Sequence, residues 1–432
     1  MQNHSAILWR QVTGALALAG LVWAAAAIAA PPAQAQTYSV LYSFKGGTAD
    51  GENPEAGLLM DKAGNLYGTT VEGPQCSPAP CTNLSGIVFK LGTTGTETVE
   101  TVLHKFRGCC QLTGSPDGAN PYGGLISDSA GHFYGMSSAG GTSHSGVVFK
   151  VGSTGETLVH TFTGPPGDGA FPYGSLTRDS TGNLYGTTSA GGASNSGVVF
   201  KLDTTGTETV LYSFKGGADG AFPYGRLLRD SAGSLYGTTP AGGIMSGNCF
   251  PYGCGVVFKV DTTGTETVLY SFTGGATDGA YPYAGLITDS TGNLYGTTYN
   301  GGAGGCSNGC GVVFKLAPGT GVLTLLHSFA GYPTDGAFPY AGLVRDSTGN
   351  LYGTAVYGGA SNNGVVFKVD TTDTETVLYN FTGKTDGGVP RAPLTLDSKG
   401  NLYGTAYSDG VFGKACGGSA GDSCGVVFKL TP

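Results

Sequence analysis

The sequence predicts an all-β protein: a seven-bladed β-propeller of four-stranded antiparallel blades, with a ring closed by an N-terminal strand that completes the last blade. Three observations favour this fold. One unit of sequence recurs seven times, each copy contains four segments of strand length, and the strand types at the two ends are complementary. An internal repeat of this size is the dominant structural signal in a sequence.

Two short words mark each copy of the repeat, a Tyr-Gly pair and a later Phe-Lys pair. The Tyr-Gly pairs lie 51 to 67 residues apart and begin at Tyr67, Tyr134, Tyr185, Tyr236, Tyr295, Tyr352 and Tyr403. The Phe-Lys pairs begin at Phe89, Phe149, Phe200, Phe258, Phe314, Phe367 and Phe428. Because the copies fill residues 36–432, we predict one propeller domain over that range.

The third copy shows the four predicted strands, which we name a to d. They cover 174–179, 183–188, 197–202 and 208–214. The a–b and c–d links read Asp-Ser-Thr-Gly-Asn and Asp-Thr-Thr-Gly-Thr, in which Asp caps a tight turn and Gly supplies the positive φ. All four strands are therefore expected to form one antiparallel meander.

Strands b and c indicate that each sheet is covered on both faces. Val198, Val199 and Phe200 are consecutive apolar residues, a pattern typical of strands buried on both sides. Gly186 inside strand b indicates a close approach by a neighbouring element. Radial stacking of four-stranded sheets explains both features.

The two ends of the repeat region favour a closed ring. Residues 38–44 read as a strand d without a blade of its own, and residues 427–430 as a strand c with no strand d after it. The first strand is therefore predicted to complete the last blade.

The first 35 residues are predicted to be a secretory signal peptide. Arg10 precedes 17 residues, 14–30, that are almost entirely apolar, and Ala33-Gln34-Ala35 has the small-x-small form of a cleavage site. An uncleaved membrane anchor is the alternative. With cleavage, we expect no membrane span and a secreted, periplasmic or cell-envelope location.

The charge of the predicted mature chain is acidic. Of 21 basic residues only Arg10 precedes residue 36, so 20 basic and 29 acidic residues remain, a net charge of −9. This balance argues against nucleic acid as a partner, because phosphate binding needs a basic surface.

Four close cysteine pairs occupy the b–c loops of their copies, and in an exported protein they predict loop disulfides. The pairs are Cys76/Cys81, Cys249/Cys254, Cys306/Cys310 and Cys416/Cys424. A zinc site is the alternative and needs four convergent ligands. The sequence does not decide whether Cys109 and Cys110 are bridged.

The repeated words resemble the bacterial GloVer tandem-repeat family over nearly all of 37–432. The pattern is Tyr-Gly-Thr-Thr, then Gly-Gly, then Gly-Val-Val-Phe-Lys-Leu. The strand order also resembles NHL-type propellers, which implies that strand a lines the axis and strand d lies outermost. The resemblance implies no established activity.

The d–a connection carries Asp-Gly in every copy, and two interpretations of this ring of acids stay open. The residues are Asp50, Asp117, Asp168, Asp219, Asp278, Asp335 and Asp386. A repeated turn needs no ion, whereas a set of carboxylates is also suited to Ca²⁺. We favour the turn and predict no required cofactor or metal.

Aromatic residues follow that Asp in most copies, such as Phe171 and Tyr173. We expect them to pack between blades rather than to stack on sugars. Three histidines, His104, His160 and His327, replace the Tyr of strand d, and we expect structural roles for them.

One departure from the repeat predicts a binding site on the loop face of the first and seventh blades. Six of the nine Glu residues lie at a c–d turn or near the start of a strand d. The remaining three lie on the loop face of copy one. The candidate ligand-binding residues are Glu52, Glu55, Glu72, Arg391, Asp409, Lys414 and Asp422. Drift of the repeats beside the closure is the alternative.

These observations favour a monomeric binding scaffold for an unknown protein or polysaccharide. A polysaccharide hydrolase or lyase that uses acids of this cluster is the alternative, and needs two carboxylates roughly 5–9 Å apart. A purely structural surface protein is a third possibility.

Overall fold

The computed structural model describes residues 36–46, 50–73, 85–94, 97–107, 117–245, 249, 251–407 and 424–432. The predicted signal peptide, 1–35, lies outside the described residues and stays a prediction. Within the described residues, seven four-stranded antiparallel sheets form a ring, so the predicted β-propeller is confirmed. No helix in the described part of the chain has the length and apolar character needed to cross a bilayer.

The strands of each type recur in chain order. The a strands are Leu59–Met60, Ile126–Ser127, Thr177–Arg178, Leu228–Arg229, Ile287–Thr288, Val344–Arg345 and Thr395–Leu396. The b strands are Leu66–Thr70, Phe133–Ser137, Leu184–Thr188, Leu235–Thr239, Leu294–Thr298, Leu351–Ala355 and Leu402–Ala406. The c strands are Ile87–Thr94, Val147–Gly152, Val198–Leu202, Val256–Val260, Val312–Ala317, Val365–Val369 and Val426–Thr431. The d strands are Glu97–Lys105, Gly155–Thr161, Glu208–Ser213, Glu266–Ser271, Val322–Ser328, Glu375–Asn380 and, in the seventh sheet, Thr37–Ser43.

The hydrophobic core lies between the blades. One cluster joins Met136 and Phe162 of the second blade to Leu176 and Phe200 of the third. Phe200 stands opposite Gly186 in the ladder, and a Cβ at Gly186 would lie 2.6 Å from its Cζ atom. Only glycine fits beneath the ring, which explains the invariant Tyr-Gly word.

The tight turns owe their shape to the Asp that begins them. In the third blade, Asp179 accepts the backbone N–H of Thr181 and Asn183, each at 2.9 Å. The hydroxyl of Tyr185 donates to the same carboxylate at 3.1 Å. The Tyr of the repeat thus connects strand b to the turn before it.

Strand a is shorter than the sequence predicts, with two ladder residues in the third blade instead of six. Its first residues converge on the axis, where a neighbouring blade binds their carbonyls. The hydroxyls of Thr187 and Thr238 donate to the oxygens of Gly225 and Ala284 at 3.3 and 2.7 Å. Bonds between blades therefore replace part of the ladder within the blade.

The strand Thr37–Ser43 pairs antiparallel with Val426–Thr431. The ring of Tyr38 stacks on Tyr379 of the sixth blade with centroids 3.9 Å apart, and Phe44 is 1% exposed. That this strand is what holds the ring closed stays a prediction, which a substitution below tests.

The d–a and b–c connections lie on one face of the propeller, which we call the loop face. They pair with each other there: Gly169–Ala170 with Ala190–Gly191, Gly279–Ala280 with Asn300–Gly301, and Gly336–Ala337 with Tyr357–Gly358. Equivalent single bridges join Glu52 to Glu72, Ala119 to Ala139 and Ala221 to Ala241.

Two of the predicted disulfides lie among the described residues. Cys249 with Cys254 and Cys306 with Cys310 are bonded, and the Cα atoms of each pair are 5.1 Å apart. Cys76, Cys81, Cys416, Cys109 and Cys110 lie outside the described residues, and Cys424 is buried. The pairing of the first and last predicted bridges stays a prediction.

Candidate functional site

A channel follows the propeller axis and opens on the loop face. Its volume is about 660 Å³, and the a strands with the residues before them line it. This agrees with the expectation that strand a lines the axis. Five tyrosines, one from each of blades two to six, surround its mouth: Tyr122, Tyr173, Tyr224, Tyr283 and Tyr340.

The local sequence turns these tyrosines inward. In most copies the Tyr follows Pro, and the residue before that Pro has a positive φ, 56° at Phe171 and 58° at Phe222. This conformation reverses the chain from the loop face towards the axis, and Pro restricts the next φ. Phe171 and Phe222 remain 43% and 40% exposed, so the side chains at this position do not all pack between blades.

Neighbouring tyrosines contact each other around the mouth. Centroid distances are 5.1 Å from Tyr122 to Tyr173, 4.9 Å from Tyr173 to Tyr224, and 5.0 Å from Tyr283 to Tyr340. The sequence predicted packing between blades for the Tyr. The structure adds that the same rings form an aromatic wall facing the channel.

Glu55 and Arg391 occupy the tyrosine position in the first and seventh blades. An Nη1 hydrogen of Arg391 is donated to Oε1 of Glu55 at 2.8 Å, and the guanidinium lies 4.4 Å from the ring centroid of Tyr407. The side chains of Glu55 and Arg391 are 11% and 27% exposed. Two residues that the sequence singled out are therefore in direct contact at the mouth.

Burial dominates the electrostatics of this pair. It raises the pKa of Glu55, Arg391 opposes that rise, and the charge of Glu72 adds to it. The pKa values of Tyr122 and Tyr340 are also raised, first by burial and then by the negative charge of Glu55. The carboxylate of Glu55 is thus held by Arg391 with tyrosines on either side.

Glu52 and Glu72 face each other across the bridge between the two connections of the first blade. The backbone N–H of Glu52 donates to the carbonyl of Glu72 at 2.8 Å, and Nδ2 of Asn53 donates to Oε2 of Glu72 at 3.0 Å. Glu52 is 6% exposed. They replace the paired alanines found in blades two to four, such as Ala221 and Ala241.

Arg226 is a channel residue that the sequence reasoning missed. It projects into the channel below Tyr224, and its Nε–H donates to Oγ1 of Thr177 at 3.3 Å. The surrounding atoms partly desolvate the guanidinium and lower its pKa. Arg226 is the one charged residue at this position among the seven copies, where the third copy has Ser175, so the sequence does carry a signal for it.

The charged residues that line the described channel are mostly basic. They are Glu55, Arg226, Arg229 and Arg391, and Glu55 is already paired with Arg391. In a chain of net charge −8, this places local positive charge on the axis. Such a channel favours anionic groups over cationic ones.

Three of the predicted site residues, Asp409, Lys414 and Asp422, lie outside the described residues. The Asp residues of the d–a connections serve their turns: Asp278 accepts the backbone N–H of Thr273 and Gly279, both at 2.7 Å. Calcium binding by this ring of acids stays untested.

The fold and the site define this protein as a β-propeller with an aromatic axial mouth on its loop face. The model of the Gloeobacter/Verrucomicrobia repeat matches residues 27–250 and 244–418, and the chain belongs to this repeat family. The predicted family resemblance is confirmed. No curated protein sequence gives a significant match.

Several solved structures are similar to the chain. The extracellular domain of a one-component system from B. thetaiotaomicron has 10% identity and a TM-score of 0.51, with 91% of this chain and 40% of that one covered. A nidogen/laminin complex has 16% identity and a TM-score of 0.40, covering 68% and 89%. An oxidoreductase (glucose dehydrogenase) from Thermus thermophilus has 13% identity and a TM-score of 0.42, covering 92% and 100%. Identities this low show the fold alone.

Proposed function

We propose that the protein is an exported binding scaffold that holds an acidic polysaccharide at the mouth of its axial channel. The observation that carries this proposal is the wall of five tyrosines above Arg226. Aromatic faces suit the apolar faces of sugar rings, and a guanidinium is suited to bidentate contact with a carboxylate. The ligand would therefore combine ring surfaces with acidic groups, as uronic acid polymers do.

Two features support binding rather than bond cleavage at this mouth. The carboxylate of Glu55 is engaged by Arg391, so it is poorly placed to act as a free acid or base. Glu72 is engaged by Asn53, and Glu52 is buried beside it. Hydrolysis or elimination that uses these acids is the alternative that the experiment separates.

Export is part of the proposal and rests on the cysteines and the N-terminal sequence. Disulfides such as Cys306–Cys310 persist in oxidising compartments, including the periplasm and the cell exterior. The cleavable signal at 1–35 would deliver the chain there. We propose that the exported form is a monomer.

The test measures depletion of the purified protein by insoluble or gel-forming polysaccharides, and the release of new reducing ends in the same tubes. We expect depletion by uronic acid polymers that exceeds depletion by neutral glucans, without new ends. Equal depletion by both classes, or none by either, would contradict the proposal. New ends would instead favour the hydrolase or lyase alternative.

Matched variants locate the site. Tyr224→Ala should weaken binding to every polysaccharide that binds, because it opens the aromatic wall. Phe222→Ala removes an aromatic residue that is 40% exposed outside the channel lining and should leave binding unchanged. Arg226→Ser should abolish the preference for acidic over neutral polymers, since the third copy carries Ser175 there. A preference that survives in the Arg226 variant would rule out this residue as its source.

A further inference from the structure

The outer edges of neighbouring blades meet at seven seams, each with three defining residues. These are the aromatic or His residue near the end of strand d, the Asp of the following d–a connection, and the residue in the first half of strand d of the next blade that pairs with the Leu or Val after the Phe-Lys pair of strand c. The seams are Tyr42/Asp50/Glu100, His104/Asp117/Glu156, His160/Asp168/Glu208, Tyr212/Asp219/Glu266, Tyr270/Asp278/Leu323, His327/Asp335/Glu375 and Tyr379/Asp386/Tyr38.

Five seams bring two acids together. In each of them Oε1 of the Glu is buried without a hydrogen-bond partner among the described residues: Glu100, Glu156, Glu208, Glu266 and Glu375. Buried polar atoms normally have a partner, and a missing one calls for an explanation. Two neighbouring carboxylates also repel each other unless a proton or a cation is shared.

Three of these five seams have a basic residue just after the end of strand d. The position that directly follows the buried Phe of strand d is Lys45, Arg107 or Lys215 there. The positive charge of Lys215 acts on Glu266 across the seam. The two seams whose third residue is not an acid carry uncharged Thr273 and Thr382 at this position.

The seams of His160 and His327 break this rule. Both contain the Asp and Glu pair, yet the position that follows the Phe is Thr163 or Ala330. In the described residues, the ion-pair partners of Asp168 and Asp335 are these histidines. In the described chain these histidines take the place of the lysine or arginine, and the carboxyl groups of Asp168 and Glu208 also share a hydrogen bond. A cation bound at either seam would stand where the other three seams have a basic side chain.

The geometry of these two seams suits a cation. Nε2 of His160 lies 3.7 Å from Oδ2 of Asp168 and 3.9 Å from Oε2 of Glu208, and Nε2 of His327 lies 3.0 Å from Oδ2 of Asp335. In each group, one donor atom from each of the three residues lies within 4.8 Å of the others. Nε2 of His160 and Nε2 of His104 are both buried with no hydrogen-bond partner among the described residues, whereas Nε2 of His327 is hydrogen-bonded to Asp335.

We propose that these two seams each bind one divalent transition-metal ion, with His160, Asp168 and Glu208 as ligands in one and His327, Asp335 and Glu375 in the other. One imidazole and two carboxylates are a donor set that Zn²⁺ accepts, with water in the remaining position. Two ligand atoms of a tetrahedral zinc ion stand roughly 3.3 Å apart. The three His–carboxylate distances at the two seams, 3.7, 3.9 and 3.0 Å, lie on either side of that value.

The surroundings of the ligands fit this assignment. Oδ1 of Asp168 accepts the backbone N–H of Gly169 at 2.6 Å, and Oδ2 accepts that of Thr163 at 2.6 Å. Asp335 is held in the same way by Ala330 and Gly336, at 2.7 and 2.6 Å. Such bonds orient a ligating carboxylate. The histidine side chains are 17% and 19% exposed, which leaves each seam open to an ion from solvent.

One ion would join the second blade to the third, and the other would join the fifth blade to the sixth. Both would lie at the outer strands of the blades, away from the axial mouth. The proposal is independent of the proposed polysaccharide binding. His104 is the instructive contrast: it lies 3.6 Å from Asp117, but its seam has Arg107 in the cation position. We expect that seam to bind no ion of comparable affinity.

The test is equilibrium dialysis of the chelator-treated protein against Zn²⁺, with a parallel measurement of thermal unfolding. We expect two equivalents of Zn²⁺ that His160→Gln and His327→Gln remove one at a time and the double variant removes entirely. The rise in Tm that Zn²⁺ produces should disappear in the double variant. His160→Tyr and His327→Tyr give the same losses with folding preserved, because four other seams carry Tyr.

Three further variants make the assignment specific. His144→Gln changes an exposed histidine of a b–c loop and should retain both equivalents. His104→Gln should also retain both. Thr163→Lys adds the missing basic residue without changing a ligand and should remove one equivalent. The absence of Zn²⁺ binding, or a double variant that still binds both ions, would overturn the proposal. Loss of an equivalent in His104→Gln would overturn the charge rule on which the choice of seams rests.

Discussion

The axial mouth and the outer seams depart from the sevenfold repeat in opposite ways. At the mouth, Glu55 and Arg391 replace two adjacent tyrosines and neutralise each other at 2.8 Å. At the seams, His160 and His327 replace tyrosines beside acid pairs that no adjacent Lys or Arg compensates. The first departure pairs an acid with an arginine, whereas the second leaves histidines as the partners of the acids, the arrangement from which we propose ion binding. A substitution that breaks a repeat is thus more informative when the charges around it are also considered.

The seam formed by the strand Thr37–Ser43 packs as the other seams do. Phe44 is 1% exposed and its ring lies 5.2 Å from that of Phe89, while Phe214 is fully buried and lies 5.1 Å from Phe258. We therefore expect Phe44→Ala and Phe214→Ala to lower the free energy of unfolding by the same amount, about 3–5 kcal/mol. Urea unfolding of both variants measures it. A much smaller loss for Phe44→Ala would mean that this strand does not hold the ring closed.

The seam Asp is expected to be structural at every seam, with or without an ion. Asp278, in a seam without Glu, accepts bonds from the backbone N–H and the hydroxyl of Thr273 and from the N–H of Gly279. Asp278→Ala leaves these donors without an acceptor and should cost about 3 kcal/mol. Asp261→Ala, at an exposed c–d turn, is the control and should cost less. Equal losses for the two would show that burial of the seam adds nothing.

The two charges of the Glu55–Arg391 ion pair at the mouth should each stabilise the fold only when the other is present. Arg391→Ala leaves the buried carboxylate of Glu55 without its partner and should cost about 2 kcal/mol after allowance for partial exposure. Replacement of both residues by Tyr restores the wall of the other five blades and should recover that loss. Chemical unfolding measures stability, and polysaccharide depletion measures function. Full binding by the double Tyr variant would show that the pair has no part in recognition.

The fold was accessible from sequence because each copy carries its own turns, core residues and glycine. The Asp179 turn and the Gly186–Phe200 contact are both encoded within one copy. The site was accessible where a residue departs from the repeat, as Glu55 and Arg391 do. The seams could not be predicted from the sequence, because His160 and Glu208 belong to different copies and their contact depends on the rotation between blades. Arg226 also departs from its repeat, but its place in the channel depends on how the a strands converge on the axis, which one copy alone does not encode.

The seam of Tyr212, Asp219 and Glu266 has a lysine, Lys215, just after strand d. Burial and then the charge of Asp219 raise the pKa of Glu266 to about 7, against the opposing charge of Lys215. Tyr212 also faces the pair and donates to Asp219 at 2.9 Å. The unfolded chain ionises Glu266 near its ordinary pKa while the folded protein keeps the proton, so this residue lowers stability progressively as pH rises from about 4.5 to 7.

Glu266→Gln should remove this contribution. Relative to the native chain, the variant should gain about 1 kcal/mol between pH 5 and pH 8, a value reduced for the half-exposed position. Unfolding in urea at both pH values measures the difference. Asp203→Asn is the matched control, because hydrogen bonds from Thr205 and Thr207 lower the pKa of Asp203 and its titration lies below pH 5. Its effect should be the same at both pH values. A pH-independent effect for Glu266→Gln as well would mean that the acid pair is ionised throughout, and that Lys215 alone balances it.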